Sequence, residues 1–357
     1  YVPGLFAVYK KIPCNEKSCN LKYQKCEIRA IFHHRHRSSL HNHSTKTYIF
    51  QASSTKKMLK RLAITNIASC DIFQGEGIPT SWGRLYGGQA VTQSLMAAQS
   101  TIENKNLHVH SLHGYFILAG DPSIPILYEV DRVRDGKSMA TRMVKALQVN
   151  KCIFQMIVSF HRDEQGPSYS IPLSNLRGFV ASENRWRQAT EILTPNCLIK
   201  NGIEASRHNN SSWITMIEAG QGGGEYWRCQ WMKFNPTVED KELTRAQQYQ
   251  VLCYMSDMQL VGTVRKPHGD IFSMSISLDH TVYFHRQFDP TKWLLVYSET
   301  STSSGARGIA RSTVYQLPEA AMAGDSIKHA EDAVRVATFA QEALIRVPRH
   351  WNRPSNL

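Results

Sequence analysis

The chain is 357 residues long, with 42% apolar and 20% charged residues, a balance that supports a buried core and excludes disorder of the whole chain. No run of about 18 uncharged apolar residues occurs, so no membrane-spanning helix is expected. The net charge of +13 is local: residues 1–70 carry 13 Lys and Arg against Glu16 and Glu27, leaving 29 basic and 27 acidic residues elsewhere, and the near-neutral body argues against nucleic-acid binding.

Residues 1–62 show no sustained period and read as a basic, poorly ordered leader. The leader holds Cys14, Cys19, Cys26 and the run HHRHR at 33–37, but no C-x-x-C spacing, so no metal site is expected there. It is acid-poor and Ser-containing, as a mitochondrial presequence would be, yet too rich in Cys and His for one. Cys152, Cys197, Cys229 and Cys253 are scattered among apolar neighbours, which fits free thiols in a reducing compartment.

A first repeat is placed at 63–165. Gly87, Gly88 and Gln89 open AVTQSLMAAQSTI (90–102), where Val91, Leu95, Ala98 and Ile102 predict a helix with one apolar face. Strand-like runs follow at 108–118, 124–134, 140–149 and 151–162, with Asp135-Gly136 and Asn150-Lys151 read as hairpin turns. Residues 166–224, with Pro, Ser and Asn clusters and GQGGG at 220–224, read as an irregular connection carrying some helix. A second repeat spans 225–347: a strand at 225–234, a helix at 242–261, and strands at 275–286, 291–305, 306–316 and 334–347. Residues 348–357 form a tail.

The two blocks look like one unit written twice. Each has a helix, then a strand with His and Tyr or Phe (His113, Tyr115, Phe116; His280, Tyr283, Phe284), then Gly-x5-Arg (Gly136 to Arg142; Gly305 to Arg311). A helix followed by adjacent strands predicts an α+β fold with an antiparallel sheet over the helix.

No nucleophile elbow, H-E-x-x-H or P-loop occurs; GKSMA (136–140) lacks the closing Gly. Three polar residues instead fall where apolar ones are expected. Asp257 sits among Met, Tyr and Leu late in the second helix, Ser277 in the strand SMSISLDH, and Gln341 in VRVATFAQEAL. Each alone reads as a satisfied, partly buried polar group. Together, a carboxylate, a hydroxyl and an amide can hold and polarise a water, with Asp257 as general base.

GRLYGGQAVTQSLMAAQ (83–99), HVHSLHGYFILAGDPSIPILYEVDRVRDGKSMATRMVKALQ (108–148) and KCIFQMIVSFHR (151–162) resemble the first half of the acyl-CoA thioesterase II family, peroxisomal members more than bacterial ones. YMSDMQLVGTVRKPHG (254–269), SISLDHTVYFHR (275–286) and WLLVYSETSTSSGARG (293–308) resemble its second half. The resemblance implies a double hotdog: two repeats, each a curved antiparallel sheet around a central helix. It also implies hydrolysis of fatty acyl-CoA to fatty acid and coenzyme A, without metal or cofactor. The family's catalytic Asp, Ser or Thr, and Gln fall on Asp257, Ser277 and Gln341. Arg265, Lys266 and Arg307 are candidates for the coenzyme A phosphates, though each also reads as a plain surface charge.

Two departures bear on Gln341. LPEAAMAGDSIKHAEDA (317–333) stands where the family has a short turn, and Ala343 stands where it has Gly. An insertion that disturbed the strand pairing would keep Gln341 from the site and leave a non-catalytic acyl-CoA-binding protein. A hydratase built on Asp279 and His280 is disfavoured, because adjacent strand residues point to opposite faces. The chain closes with Ser355, Asn356 and Leu357, similar to a Ser-Lys-Leu address read by the peroxisomal import receptor. Peroxisome is therefore the expected compartment, with cytoplasm or mitochondrion as alternatives. The repeats suggest a self-contained unit that pairs further into a homo-oligomer.

Overall fold

Burial alternates strictly along Met139–Gln148, where every second residue is buried, the charged Arg142 and polar Gln148 among them. A sheet so patterned buries one face, and here it buries it against two helices. The computed structural model describes residues 58–68, 70–173, 213–221, 226–236, 242–324 and 332–349, with Pro195, Ser206 and Arg207 besides.

A short helix, α1 (Met58–Leu62), precedes the hairpin of β1 (Ile64–Ala68) and β2 (Ile72–Gly75). Helix α2 (Gly87–Ser100) follows, then β3 (Leu107–Phe116), β4 (Ile126–Asp135), β5 (Met139–Gln148) and β6 (Lys151–Arg162). The second half repeats the plan. Strands β7 (Ser206–Arg207), β8 (Ile214–Gln221) and β9 (Trp227–Phe234) lead to α3 (Arg245–Ser256) and α4 (Leu260–Arg265). Next come β10 (Met274–Ser277), β11 (Asp279–Phe284), β12 (Leu294–Ser304), β13 (Arg307–Gln316) and β14 (Val334–Arg346).

The strand order carries the duplication. One antiparallel sheet runs β1-β2-β4-β5-β6-β3-β11-β14-β13-β12-β9-β8-β7, with β10 paired to β14. Read outward from the centre, 3-6-5-4-2-1 on one side is matched by 11-14-13-12-9-8 on the other. The halves join where β3 meets β11, with Gly114 opposite His280 and His113 opposite Thr281. This is the α+β double hotdog, each half curling round its own helix.

Helix α2 departs from the expected single apolar face: Gln89, Thr92, Gln93 and Ser94 are as buried as Val91 and Leu95. The amides are satisfied by loop backbone. Gln89 Nε2 donates to the Glu76 carbonyl at 2.7 Å, Gln89 Oε1 accepts from Ile78 N–H at 3.1 Å, and Gln93 Nε2 donates to the Leu62 carbonyl at 3.2 Å. Buried polar groups are tolerated when so paired. On its other side α2 packs against α3, where Gln250 Nε2 donates to Gln99 Oε1 at 2.7 Å.

Four expectations need correction. The expected leader runs to 62, but α1 belongs to the core, with Met58 and Leu62 fully buried; residues 1–57, which hold HHRHR, Cys14, Cys19 and Cys26, lie outside the described residues. The connection 166–224 contains β8, which pairs with β9 from Ile214 opposite Phe234. The second β-turn centres on Val149 and Asn150, both with positive φ, not on Asn150-Lys151. The single helix at 242–261 is two helices, broken after Ser256.

The 317–333 insertion leaves the ladder intact. Strands β13 and β14 pair from Gln316 opposite Val334 to Arg307 opposite Leu344, one irregularity at Val314/Tyr315 aside. Leu317, Ala321 and Met322 pack on a second apolar cluster with Trp231, Leu295 and Tyr315. Ala343 is fully buried between Gly308 and Ser277. Gln341 therefore keeps its place in the ladder, opposite Ala310.

Candidate functional site

A capping box starts α3: the Thr244 hydroxyl accepts from Gln247 N–H, and the Gln247 side chain accepts from Thr244 N–H at 2.9 Å. The helix ends on Asp257, whose φ of −85° and ψ of 1° lie outside helical geometry. Two residues on, Gln259 takes a left-handed φ of 70°, and its Oε1 accepts from Arg228 Nη1 at 2.9 Å. This turn is what breaks the expected helix, and it aims Asp257 away from the axis at the start of α2.

Gly87 and Gly88 make that approach possible. A Cβ on Gly87 would lie 2.6 Å from Asp257 Oδ2, and one on Gly88 2.6 Å from the Tyr254 carbonyl. Tyr86 pins the junction, its hydroxyl donating to the Tyr254 carbonyl at 2.9 Å. The positive end of α2 thus faces the carboxylate, a favourable placement for a negative charge.

Burial pushes the Asp257 carboxyl up to about 7, while hydrogen bonding from Gln341, Gly88 N–H and Ser277 pulls it down. Oδ1 is sealed from solvent without a hydrogen-bond partner. Ser277 ends β10 opposite Ala343. Gln341 is 1% exposed on β14, and its Nε2 donates to Ser277 Oγ in a short hydrogen bond. The three residues singled out by polarity, from a helix end and two strands, thus meet.

They meet at a cavity of about 750 Å3, within the range usual for small-molecule sites. Asp257, Ser277 and Gly87 line one part of it. Leu85, Tyr86, Phe116, Ile153, Phe154 and Val261 are among its apolar walls, and exposed Trp82, Ile117, Leu118 and Met274 belong to its lining as well. Gln341 is not a lining residue; it stands behind Ser277.

Arg265, Lys266 and Arg307 do not line this cavity. Arg265 Nη2 donates to Asp270 Oδ1 at 3.0 Å with its guanidinium 5.7 Å from the Phe272 ring, and Arg307 Nε donates to Glu342 Oε1 at 3.0 Å. The cation on the wall is exposed Arg84, in the turn before α2. Nothing in its sequence context marked it, because only the fold brings 84, 117–118 and 274 to one opening. Asp279 and His280 do point to opposite faces: Asp279 Oδ1 accepts from Glu342 N–H at 2.5 Å, while His280 is fully buried. The partners of His280 are Gln341 and Ser256, not Asp279.

Residues 78–161 match the family description "Acyl-CoA thioesterase N-terminal domain" and residues 208–342 match "Acyl-CoA thioesterase". Among curated proteins, the chain is 30% identical over 299 residues to "Acyl-coenzyme A thioesterase 8" of Rattus norvegicus, covering 77% of this chain and 85% of the relative. It is 25% identical over 260 residues to "Peroxisomal acyl-coenzyme A thioester hydrolase 1" of Saccharomyces cerevisiae, covering 58% of this chain and 74% of that one. Among solved structures, the acyl-CoA thioesterase II TesB2 of Mycobacterium marinum superposes with a TM-score of 0.59 at 24% identity, over 82% of this chain and 98% of that one.

Proposed function

This chain belongs to the acyl-CoA thioesterase II family and is an acyl-CoA thioester hydrolase, and we propose that Asp257, Ser277 and Gln341 carry its reaction. The observation that supports this most is Asp257: a carboxylate with a pKa near 7 beside a hydroxyl in an apolar cavity. Such a group is half ionised at neutral pH and suits general base catalysis.

In this reading a water held by Asp257 and Ser277 attacks the thioester carbonyl carbon as Asp257 takes its proton. The tetrahedral oxyanion then collapses, the C–S bond breaks, and the departing thiolate of coenzyme A receives the proton back. Water and thioester become a carboxylic acid and a thiol, with Asp257 regenerated. Sulfur donates weakly to the carbonyl, so one oriented water and a few fixed dipoles suffice. Gln341 holds the Ser277 hydroxyl from behind. The apolar walls favour a fatty acyl chain, and Arg84 is placed to meet a phosphate of coenzyme A.

The name of the yeast relative supports a peroxisomal setting; residues 355–357, expected to be the import signal, lie outside the described residues. A fluorescent fusion of the full chain that fails to colocalise with peroxisomes would overturn that assignment.

The function is tested by thiol release from the purified protein with palmitoyl-CoA, beside Asp257→Asn. Release by the wild type and a loss of roughly 100- to 10,000-fold in the variant are expected. Release unchanged in Asp257→Asn would remove Asp257 from the mechanism. Saturable acyl-CoA binding with no release at any chain length would make this protein a binder that departs from its family.

A further inference from the structure

A glutamine amide has an oxygen end and an N–H end, and its own chemistry does not choose which of them faces the site. The neighbour that touches the far end of the Gln341 amide is His280, on β11 and 0% exposed. His280 Nδ1 lies 3.0 Å from Gln341 Oε1, and His280 Nε2 lies 2.7 Å from Ser256 Oγ. On its other side Gln341 Nε2 meets Ser277 Oγ. The row Ser256–His280–Gln341–Ser277 thus starts on the residue before Asp257 and returns to the site beside it.

Burial pushes His280 down to about 4, so the ring is neutral at pH 7 and carries one proton. Two polarities of the row are self-consistent. In the first, Ser256 O–H donates to Nε2, Nδ1–H donates to Gln341 Oε1, and the amide N–H groups face Ser277 and Asp257. In the second, Ser256 O–H donates to the Cys253 carbonyl, 2.8 Å away, Nε2–H donates to Ser256 Oγ, and the reversed amide donates to bare Nδ1. The second turns an amide oxygen toward a carboxylate whose Oδ1 already lacks a donor. An acceptor aimed at a buried anion is costly, so the Asp257 charge selects the first.

We propose that His280 is a positioning residue of the hydrolytic site, holding the Nδ1–H tautomer between Ser256 and Gln341 so that the Gln341 N–H groups face Ser277 and Asp257. The inference rests on the reading of Gln341 as part of that site.

Two substitutions separate the ring nitrogens. His280→Asn places an amide N–H where Nδ1–H stood and keeps the donor to Gln341. His280→Gln places its amide near the Nε2 position, keeps the Ser256 contact and leaves Gln341 Oε1 without a donor. The expected result is a kcat within about tenfold of wild type for His280→Asn, and a kcat loss on the order of 100-fold at unchanged KM for His280→Gln. Equal losses in both, or a loss confined to KM, would overturn the proposal. A second readout does not depend on activity: in 15N spectra of the histidine-labelled wild type at pH 8, assigned by the signal absent from His280→Asn, Nδ1 should be protonated and Nε2 bare. The opposite tautomer would overturn the proposal whatever the activities of the variants. Wild-type turnover by Gln341→Ala would instead remove the catalytic reading on which the proposal stands, whatever the tautomer.

Discussion

Gly87 Cα and the Asp257 carboxylate are so close that a single methyl group on Gly87 would come within 2.6 Å of Oδ2 and 2.9 Å of the Phe116 ring. The first residue of one central helix therefore sets the room available to the residue that caps the other. Gly87→Ala must push the carboxylate or the ring aside. Crowding of this kind costs about 1–3 kcal/mol in stability. A shift of the base by a fraction of an ångström should lower kcat on the order of 100-fold. Steady-state kinetics beside thermal unfolding check it; a folded Gly87→Ala protein with wild-type kcat would show that the carboxylate position is not critical.

The pH dependence of the reaction follows from the same carboxyl. With its pKa raised to about 7, the base is ionised above that value and protonated below it. The kcat/KM profile should rise tenfold per pH unit below about 6 and level off above about 8. In Asp257→Asn the residual activity should lose this limb. A wild-type profile flat between pH 5 and 8 would mean that another group takes the proton.

Stability should run the other way. The native carboxyl titrates near 7 and the unfolded one near 3.8, so between those values the native state binds more protons. Asp257 thus weakens the fold progressively as pH rises from about 4 to about 7, with its full cost above that. Asp257→Asn should be more stable than wild type at pH 8, by about 1–3 kcal/mol, and the gap should close toward pH 4. His280, buried neutral with a pKa near 4, contributes the opposite slope, which cancels between the two proteins. Denaturant melts at pH 4, 6 and 8 give the comparison; a gap that widened on acidification would contradict the raised pKa.

Arg84 should act on binding alone. It lies on the cavity wall but far along the chain from Asp257, Ser277 and Gln341, and its side chain is exposed. Arg84→Ala should raise KM for acyl-CoA roughly fivefold, the size of an exposed charge pair of about 1 kcal/mol, with kcat unchanged. The effect should shrink with added salt. Arg307→Ala, which breaks an ion pair with Glu342 outside the cavity, should leave both constants alone.

Much of the architecture was legible because strands and helices write their periods locally. The alternate apolar residues Ile126, Tyr128 and Val130 and the Gly-Gly opening of α2 needed no tertiary information. The end of α3 did not show itself, since CYMSDMQL continues a helical pattern and only the left-handed Gln259, held by Arg228 from β9, stops it. The strand at Ile214–Gln221 was hidden between an Asn- and Ser-rich stretch and a Gly run because its partner, β9, supplies the reason for it to extend. The place of Arg265, Lys266 and Arg307 off the cavity lining was equally hidden: charge is visible in sequence, but which surface it faces is not.

By itself the sequence determined the two-fold repetition of helix and strands and the three polar residues set in apolar surroundings, because both are departures from or obedience to short-range periodicity. The tertiary structure decided what those residues are to each other. Joining β3 to β11 and β14 to β10 places Gln341 against Ser277, His280 behind it and Asp257 at the mouth of α2. Contacts between residues more than 60 positions apart depend on sheet register and strand order. A strand's own pattern sets which face it buries, but not which distant strand becomes its neighbour; packing of both halves around two helices selects that.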